Sequence, residues 1–599
     1  MILLLTLLVS FFASAKPLTC KDFEAVAASS PSSSLSLKKL LDQHWRYLKQ
    51  EYPEMATRLG ESQGGDRWTD ISISAIERRK AVTSCLAKIL KKLPRAKLRG
   101  EDLINYDLFL YRTEMAAAEN RFPSEYLTLS HLSGLHLNLP DAIAAMPTRS
   151  MRDYQNIVAR LEKVSLLEQQ TEALLREGLK RQITPVKMFL VKVPEQIDRV
   201  TTADIEGSPF WKPFQDIKIS LTDEQKADLQ KSARLAIKEH VFPSLKKLKE
   251  FVVSEYIPGA REGIAWKEMP DGTSWYEFLV KDSTTTNMTS AELHQLGLSE
   301  VARITEEMNR IRQKTNFKGD LSAFNQFLLN DPQFYFTEGD QLLRAFRDLA
   351  KRIDPELPRL FKTLPRLTYG VREIPEYKAK SASAAYYTSG NINAGTAGYF
   401  EANTYDLKAR PKWAMEALTF HESVPGHHLQ IALAQEIEGL PEFRKYGGDT
   451  AFIEGWGLYA ETLGEELGFY KDPYAKYGQL TYEMWRAVRL VVDTGIHFYG
   501  WDREKAVTYF QSKMPKTRME AEVEIDRYIT WPGQALAYKV GQLKFRELRS
   551  KAESALGTDF NVREFHDELL RHGSLPLDVL EKTVHAWIEN KKTKKETHQ

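Results

Sequence analysis

The sequence predicts a mainly α-helical protein with one small β-sheet near residues 365–400. Two observations carry this reading. Over most of the chain, apolar residues recur at three- and four-residue steps among Lys, Glu, Gln and Arg, the pattern of helices that bury one face. β-Branched and aromatic residues gather with glycines in one stretch, about 363–405, which is the mark of short strands.

In chain order, helices are expected over Leu37–Tyr52, Ala75–Leu93, Glu101–Asn120, Met151–Lys180 and Asp223–His240. Leu93-Pro94 and Gly207-Ser208-Pro209 punctuate these runs, because Pro and Gly interrupt helices. Leu127–Leu139, where Leu recurs among Ser, His and Gly, reads as a loop. The sheet is expected from Leu367–Val371, Ala384–Thr388 and Asn391–Phe400, and helices resume at Trp413. The simplest division is an N-terminal helical region, 16–285, and a C-terminal catalytic region, 286–599. The boundary rests on the polar run Asp282–Asn287.

A chain of 599 residues is long enough for several lobes or one large helical body. Hydrophobic residues make up 42% and charged residues 27%, as in an ordinary globular protein. A formal net charge of +2 gives no reason to expect a nucleic-acid partner. The Lys-rich runs 245–249 and 591–595 read as solvated faces. Residues 1–12 are almost wholly apolar and lead into Ala13-Ser14-Ala15. This predicts a signal peptide over 1–15, though it lacks the usual positive start; a buried N-terminal element is the alternative. The run falls short of the ~20 residues that cross a bilayer, and no later segment reads as transmembrane. An exported location, periplasmic or secreted, follows. Cys20 is a poor lipid-attachment site, since Pro17-Leu18-Thr19 precedes it. With Cys85 it forms either one bridge or two free thiols.

The chemistry is concentrated in His421-Glu422-Ser423-Val424-Pro425-Gly426-His427-His428. A His-Glu-x-x-His helix places two imidazoles on one face for zinc and a Glu beside them as base. Here the residue four after His421 is Pro425. On a regular helix, at ~100° per residue, His427 lies roughly 240° away from His421, and His428 lies ~10.5 Å along the axis. Neither shares an ion with His421 easily. Pro425 cannot donate to the carbonyl of His421, and Gly426 follows. A bulge over 424–426 would absorb two residues and bring His427 to the second-ligand position, with His428 as the alternative. Glu454, in Glu454-Gly455-Trp456-Gly457, is the third candidate ligand, at the start of a second helix. Glu461, two turns on, is a candidate to accept the free N–H of a ligand histidine; its plain alternative is a solvent-facing acid. Two His and one Glu leave a zinc position open for water, and Glu422 would be the general base.

With those residues in view, the chain resembles the bacterial family called domain of unknown function 885, whose members look like zinc metallopeptidases. The match runs through 421–430, 454–461, Asp493-Thr494-Gly495-Ile496-His497, Gly500-Trp501, Arg527-Tyr528 and 532–541. A more distant similarity is to thimet oligopeptidase, angiotensin-converting enzyme and the Taq-type carboxypeptidases. That similarity implies a two-lobed helical body around a deep cleft, with a sheet edge at 384–400 that pairs with extended substrate. It also implies a donor to the reaction's oxyanion, for which His497, Tyr528 and Tyr538 are candidates. Arg527 is a candidate for holding a substrate carboxylate. The expectation is a Zn2+-dependent peptidase acting on short peptides. The alternatives are a zinc amidase on non-peptide amides, or a catalytically silent peptide-binding protein of the same fold.

Overall fold

The computed structural model describes residues 17–596 apart from 31, 62, 63, 202, 203 and 381. The segment 1–15, read as a signal peptide, lies outside them. The fold is mainly α, with three strands in one small sheet among the described residues. No helix among the described residues is long and apolar enough to cross a membrane.

Helices form where the apolar periodicity puts them: Ser33–Glu51, Ile73–Lys92, Gly100–Glu119 and Asp223–Ala236. Ser32, Ser72 and Thr222 cap three of these by accepting the backbone N–H of Leu35, Ala75 and Gln225. Cys20 and Cys85 form a disulfide that ties the helix Cys20–Ala28 to Ile73–Lys92.

Two segments differ from expectation. The run from Met151 is two helices, Met151–Glu162 and Val164–Arg181, parted at Lys163. The expected loop turns helical over Leu135–Ala144 with Pro140 inside it. Leu139 and Ile143 lie one turn apart and are both buried. That burial outweighs the N–H that Pro140 lacks.

The apolar side chains form two cores. One gathers residues between Leu129 and Ala260; the other runs from Phe23 to Ile588 and surrounds the site. At the polar stretch 282–287 the helix Gly272–Thr284 ends, and Ser290–Lys314 begins under a Thr289–Glu292 capping box.

The sheet holds β1 (Tyr369–Glu373), β2 (Ala385–Thr388) and β3 (Gly398–Ala402) in the order β1-β3-β2. β3 runs parallel to β1 and antiparallel to β2, with Phe400 opposite Val371 on one side and Tyr387 on the other. Of the stretch 384–400 expected at an edge, β2 lies there, whereas β3 is central. Its Phe400 is fully buried against Phe346.

Five helices build the site: Met415–Glu422, His427–Glu436, Thr450–Glu466, Pro473–Thr494 and Ala537–Leu556, the first of them in contact with β2. Thr450–Glu466 packs against both Met415–Glu422 and Ala537–Leu556, and Pro473–Thr494 lies along Ser290–Lys314. Pro473–Thr494 is buried over its last eighteen residues, Tyr477 to Thr494, with Arg486 and Arg489 among them. Two buried arginines on such a helix need partners inside the protein.

Candidate metal centre

The helix that carries His421 stops at Glu422, and a second helix starts at His427. The missing N–H of Pro425 is one cause. The turn between them is drawn tight over the end of the first helix. A Cβ on Gly426 would lie 2.0 Å from the carbonyl oxygen of His421, so only glycine fits there. The Val424–Pro425 peptide is cis, and the Trp456 indole N–H holds the turn by donating to the Pro425 carbonyl at 2.8 Å. The expected bulge is thus a full break between two helices.

The break brings His427 to His421. Their rings meet edge to face with centroids 4.6 Å apart. Glu454, in the second turn of its helix, reaches both: its Oε2 is 3.5 Å from His421 Nε2 and 3.4 Å from His427 Nε2. One donor atom from each of the three lies within 4.8 Å of the others. Gly457 makes room, since a Cβ there would lie 2.7 Å from His421 Cε1.

Two features fit this trio to a cation. Glu454 Oε2 is buried and has no hydrogen-bond partner; its contacts with the imidazoles are of charge, too long for good hydrogen bonds. The surroundings also favour positive charge. Burial opposes the charged form of His421, yet Glu454 and Glu461 override it and raise its pKa to about 10. The donor set, two imidazoles and a carboxylate, is one that zinc accepts, with a position to spare.

Glu461 is fully buried, not solvent-facing, and its Oε1 lies 2.8 Å from His421 Nδ1. That contact keeps a proton on Nδ1, so a cation held by Nε2 together with His427 and Glu454 would displace only the Nε2 proton. Arg486 approaches the same Glu461 oxygen at 3.4 Å.

His428, the alternative ligand, is excluded by its partners. Its Nε2 lies 2.9 Å from the carbonyl of Leu367, which can only accept, so this nitrogen carries the proton. Its Nδ1 accepts from the Tyr387 hydroxyl at 2.9 Å. Neither nitrogen keeps a lone pair for an ion. Burial pushes this imidazole down to about 4, which agrees with a neutral ring pinning the helix to the sheet.

Glu422 is 7% exposed, and its Oε2 has no hydrogen-bond partner. The three oxyanion candidates separate. His497 is not at the trio: its Nδ1 accepts from the backbone N–H of Trp266 at 3.3 Å and its Nε2 donates to the Tyr528 carbonyl at 3.0 Å. Both nitrogens are used, and burial pushes its pKa down to about 3. The Tyr528 hydroxyl is likewise committed: it accepts from Trp485 Nε1 and Arg489 Nε at 2.8 and 2.9 Å and gives its proton to the Glu524 carboxylate. Tyr538 does reach a donor: its ring stacks 6.3 Å from that of His421. Its hydroxyl accepts from Arg527 and Gln534 and still has a proton to give.

Sequence reasoning missed Arg486 and Arg489. The available signal was two arginines three residues apart in the otherwise apolar run Trp485–Val492. It also missed Tyr387, whose role depends on sheet pairing.

A family model described as "Bacterial protein of unknown function (DUF885)" matches residues 53–584. Among solved structures, a candidate lipoprotein from Colwellia psychrerythraea is 28% identical with a TM-score of 0.88, over 93% of this chain and 100% of that one. A candidate lipoprotein of unknown function from Shewanella oneidensis is 18% identical with a TM-score of 0.66, over 91% and 99%. Among curated proteins, the DNA primase large subunit of Saccharomyces cerevisiae is 26% identical over 161 residues. The match takes in 28% of that protein's length.

Proposed function

The chain belongs to this bacterial family of unknown function, and from that premise we propose that it is a zinc-dependent peptidase acting on short peptides. The observation that supports this most is the meeting of His421, His427 and Glu454 around an unpartnered buried carboxylate oxygen. These three residues would hold the ion. When bound, zinc supplies a Lewis acid that polarises the scissile carbonyl and makes water more acidic.

The chain's own groups supply the rest. Glu422 follows His421 directly and presents an unpartnered Oε2, suited to take a proton from the attacking water. The water oxygen bonds to the carbonyl carbon, the C–N bond breaks, and Glu422 passes its proton to the departing nitrogen. Glu461 fixes the orientation of His421. Tyr538, stacked on that ring, would offer its hydroxyl to the developing oxyanion. A catalytically silent binder has no use for an unpartnered Glu422, which argues against that alternative.

We read the chain as exported. The relative from Colwellia psychrerythraea is described as a candidate lipoprotein, and the Cys20–Cys85 disulfide suits an oxidising compartment.

The test is peptide hydrolysis by the zinc-loaded chain beside Glu422→Gln. Retained zinc with turnover lowered by about a hundredfold or more supports the reading. Undiminished turnover would remove Glu422 from its role, and no hydrolysis of any short peptide by the loaded wild type would remove the peptidase.

A further inference from the structure

Beside the metal donors, three guanidinium groups gather around Tyr538. Arg489 stacks 4.3 Å from the ring centroid, and Arg486 lies 5.7 Å from it. Arg527 donates to the Tyr538 hydroxyl at 3.0 Å. Arg486 and Arg489 are 4% and 2% exposed.

Guanidinium groups this deep should have their N–H groups taken up. Arg489 gives Nε to Tyr528 and Nη2 to Glu524. Arg486 gives Nη1 to the Tyr482 carbonyl and turns Nη2 toward Glu461. Arg527 gives Nη2 to Gln534 and Tyr538. Each still has one buried nitrogen without a partner: Arg486 Nε, Arg489 Nη1 and Arg527 Nε. Two carboxylates, Glu461 and Glu524, face three guanidinium groups.

A surface depression is lined by Asn403, Arg410, Lys516 and Glu520 together with Trp485 and Glu524. Both of these contact Arg489. The other end of the group adjoins His421 through Tyr538.

We propose that Arg486, Arg489 and Arg527 form a subsite for a carboxylate of the substrate, set beside the hydrolytic centre. The inference rests on the hydrolase reading of that centre. Guanidinium groups bind carboxylates through charge-assisted, often paired hydrogen bonds. With Tyr538 between the arginines and His421, a carboxylate held there would lie within a few extended residues of His421, at roughly 3.3–3.6 Å per residue. The substrates are therefore peptides cut close to an anionic group. That group is either the C-terminal carboxylate or an acidic side chain.

The experiment uses the full chain carrying Glu422→Gln, so that nothing is consumed. Calorimetry measures binding of N-acetyl-Ala-Ala as free acid, the same peptide as its amide, and N-acetyl-Ala-Asp amide. The free acid should bind about tenfold or more tighter than the amide. Adding Arg527→Gln should bring the two within about twofold, and Arg527→Lys should keep part of the preference. Circular dichroism confirms that each variant is folded. Tight binding of the Asp amide with weak binding of the free acid assigns the subsite to an acidic side chain. Equal binding of all three peptides, or a preference unchanged in both Arg527 variants, overturns the proposal. A carboxylate preference in a protein whose wild type hydrolyses nothing would keep the subsite and sink the peptidase; hydrolysis without any preference would do the reverse.

Discussion

His421 Nδ1 and Glu461 Oε1 lie 2.8 Å apart in a fully buried contact. The carboxylate keeps a proton on Nδ1 and turns Nε2 toward Glu454 and His427. Glu461→Gln keeps the shape and an acceptor oxygen but removes the charge. Zinc affinity should fall by about 10–100-fold, read by competition with a chromophoric chelator. Unchanged affinity would reduce Glu461 to a packing residue and a partner for Arg486.

Gly457 leaves the space that the His421 imidazole occupies, and a Cβ there would come within 2.7 Å of Cε1. Gly457→Ala must displace the ring or the helix. The expected result is a stability loss of about 1–3 kcal/mol together with weaker metal binding. A variant that binds zinc like the wild type would show that the ring can shift at no cost to the site.

Asp493 is fully buried, accepting from the Tyr276 hydroxyl at 2.7 Å and from the Gly533 N–H at 3.1 Å. Burial pushes its carboxyl up to about 7, against the pull of those two donors. Between the ordinary value of 3.8 and about 7 the folded chain keeps a proton that the unfolded chain has lost. This contribution to stability is complete below 3.8 and disappears as pH rises through 7. Asp493→Asn keeps an acceptor and cannot ionise. Its melting temperature should gain on the wild type by about 2 °C or more between pH 5 and pH 8. A constant difference across that range would mean that Asp493 is already ionised at pH 5.

Much of the site could be read from the chain because its signals are local. Pro425-Gly426 announces a break whether or not a metal is bound, and Glu461 lies seven residues from Glu454, two turns on along one face. Which histidine joins His421 was not local. It depends on the Leu367 carbonyl and the Tyr387 hydroxyl, which only the sheet brings to His428. His497 and Tyr528 failed as candidates for the same reason. Trp266, which occupies His497, is 231 residues away in sequence, and Trp485 and Arg489 reach Tyr528 from another helix. The helices followed from periodicity. The stretch 127–139, read as a loop from its Ser, His and Gly, misled because tertiary burial of Leu139 and Ile143 holds Leu135–Ala144 helical.

The central claim is that His421, His427 and Glu454 hold one metal ion and that His428 does not. It is tested most directly by zinc content per chain in the wild type and in His421→Ala, His427→Ala, His428→Ala and Glu454→Ala, with folding checked by circular dichroism. The account predicts about one zinc in the wild type and in His428→Ala, and little or none in the other three. Zinc lost from folded His428→Ala and kept in His427→Ala would contradict it.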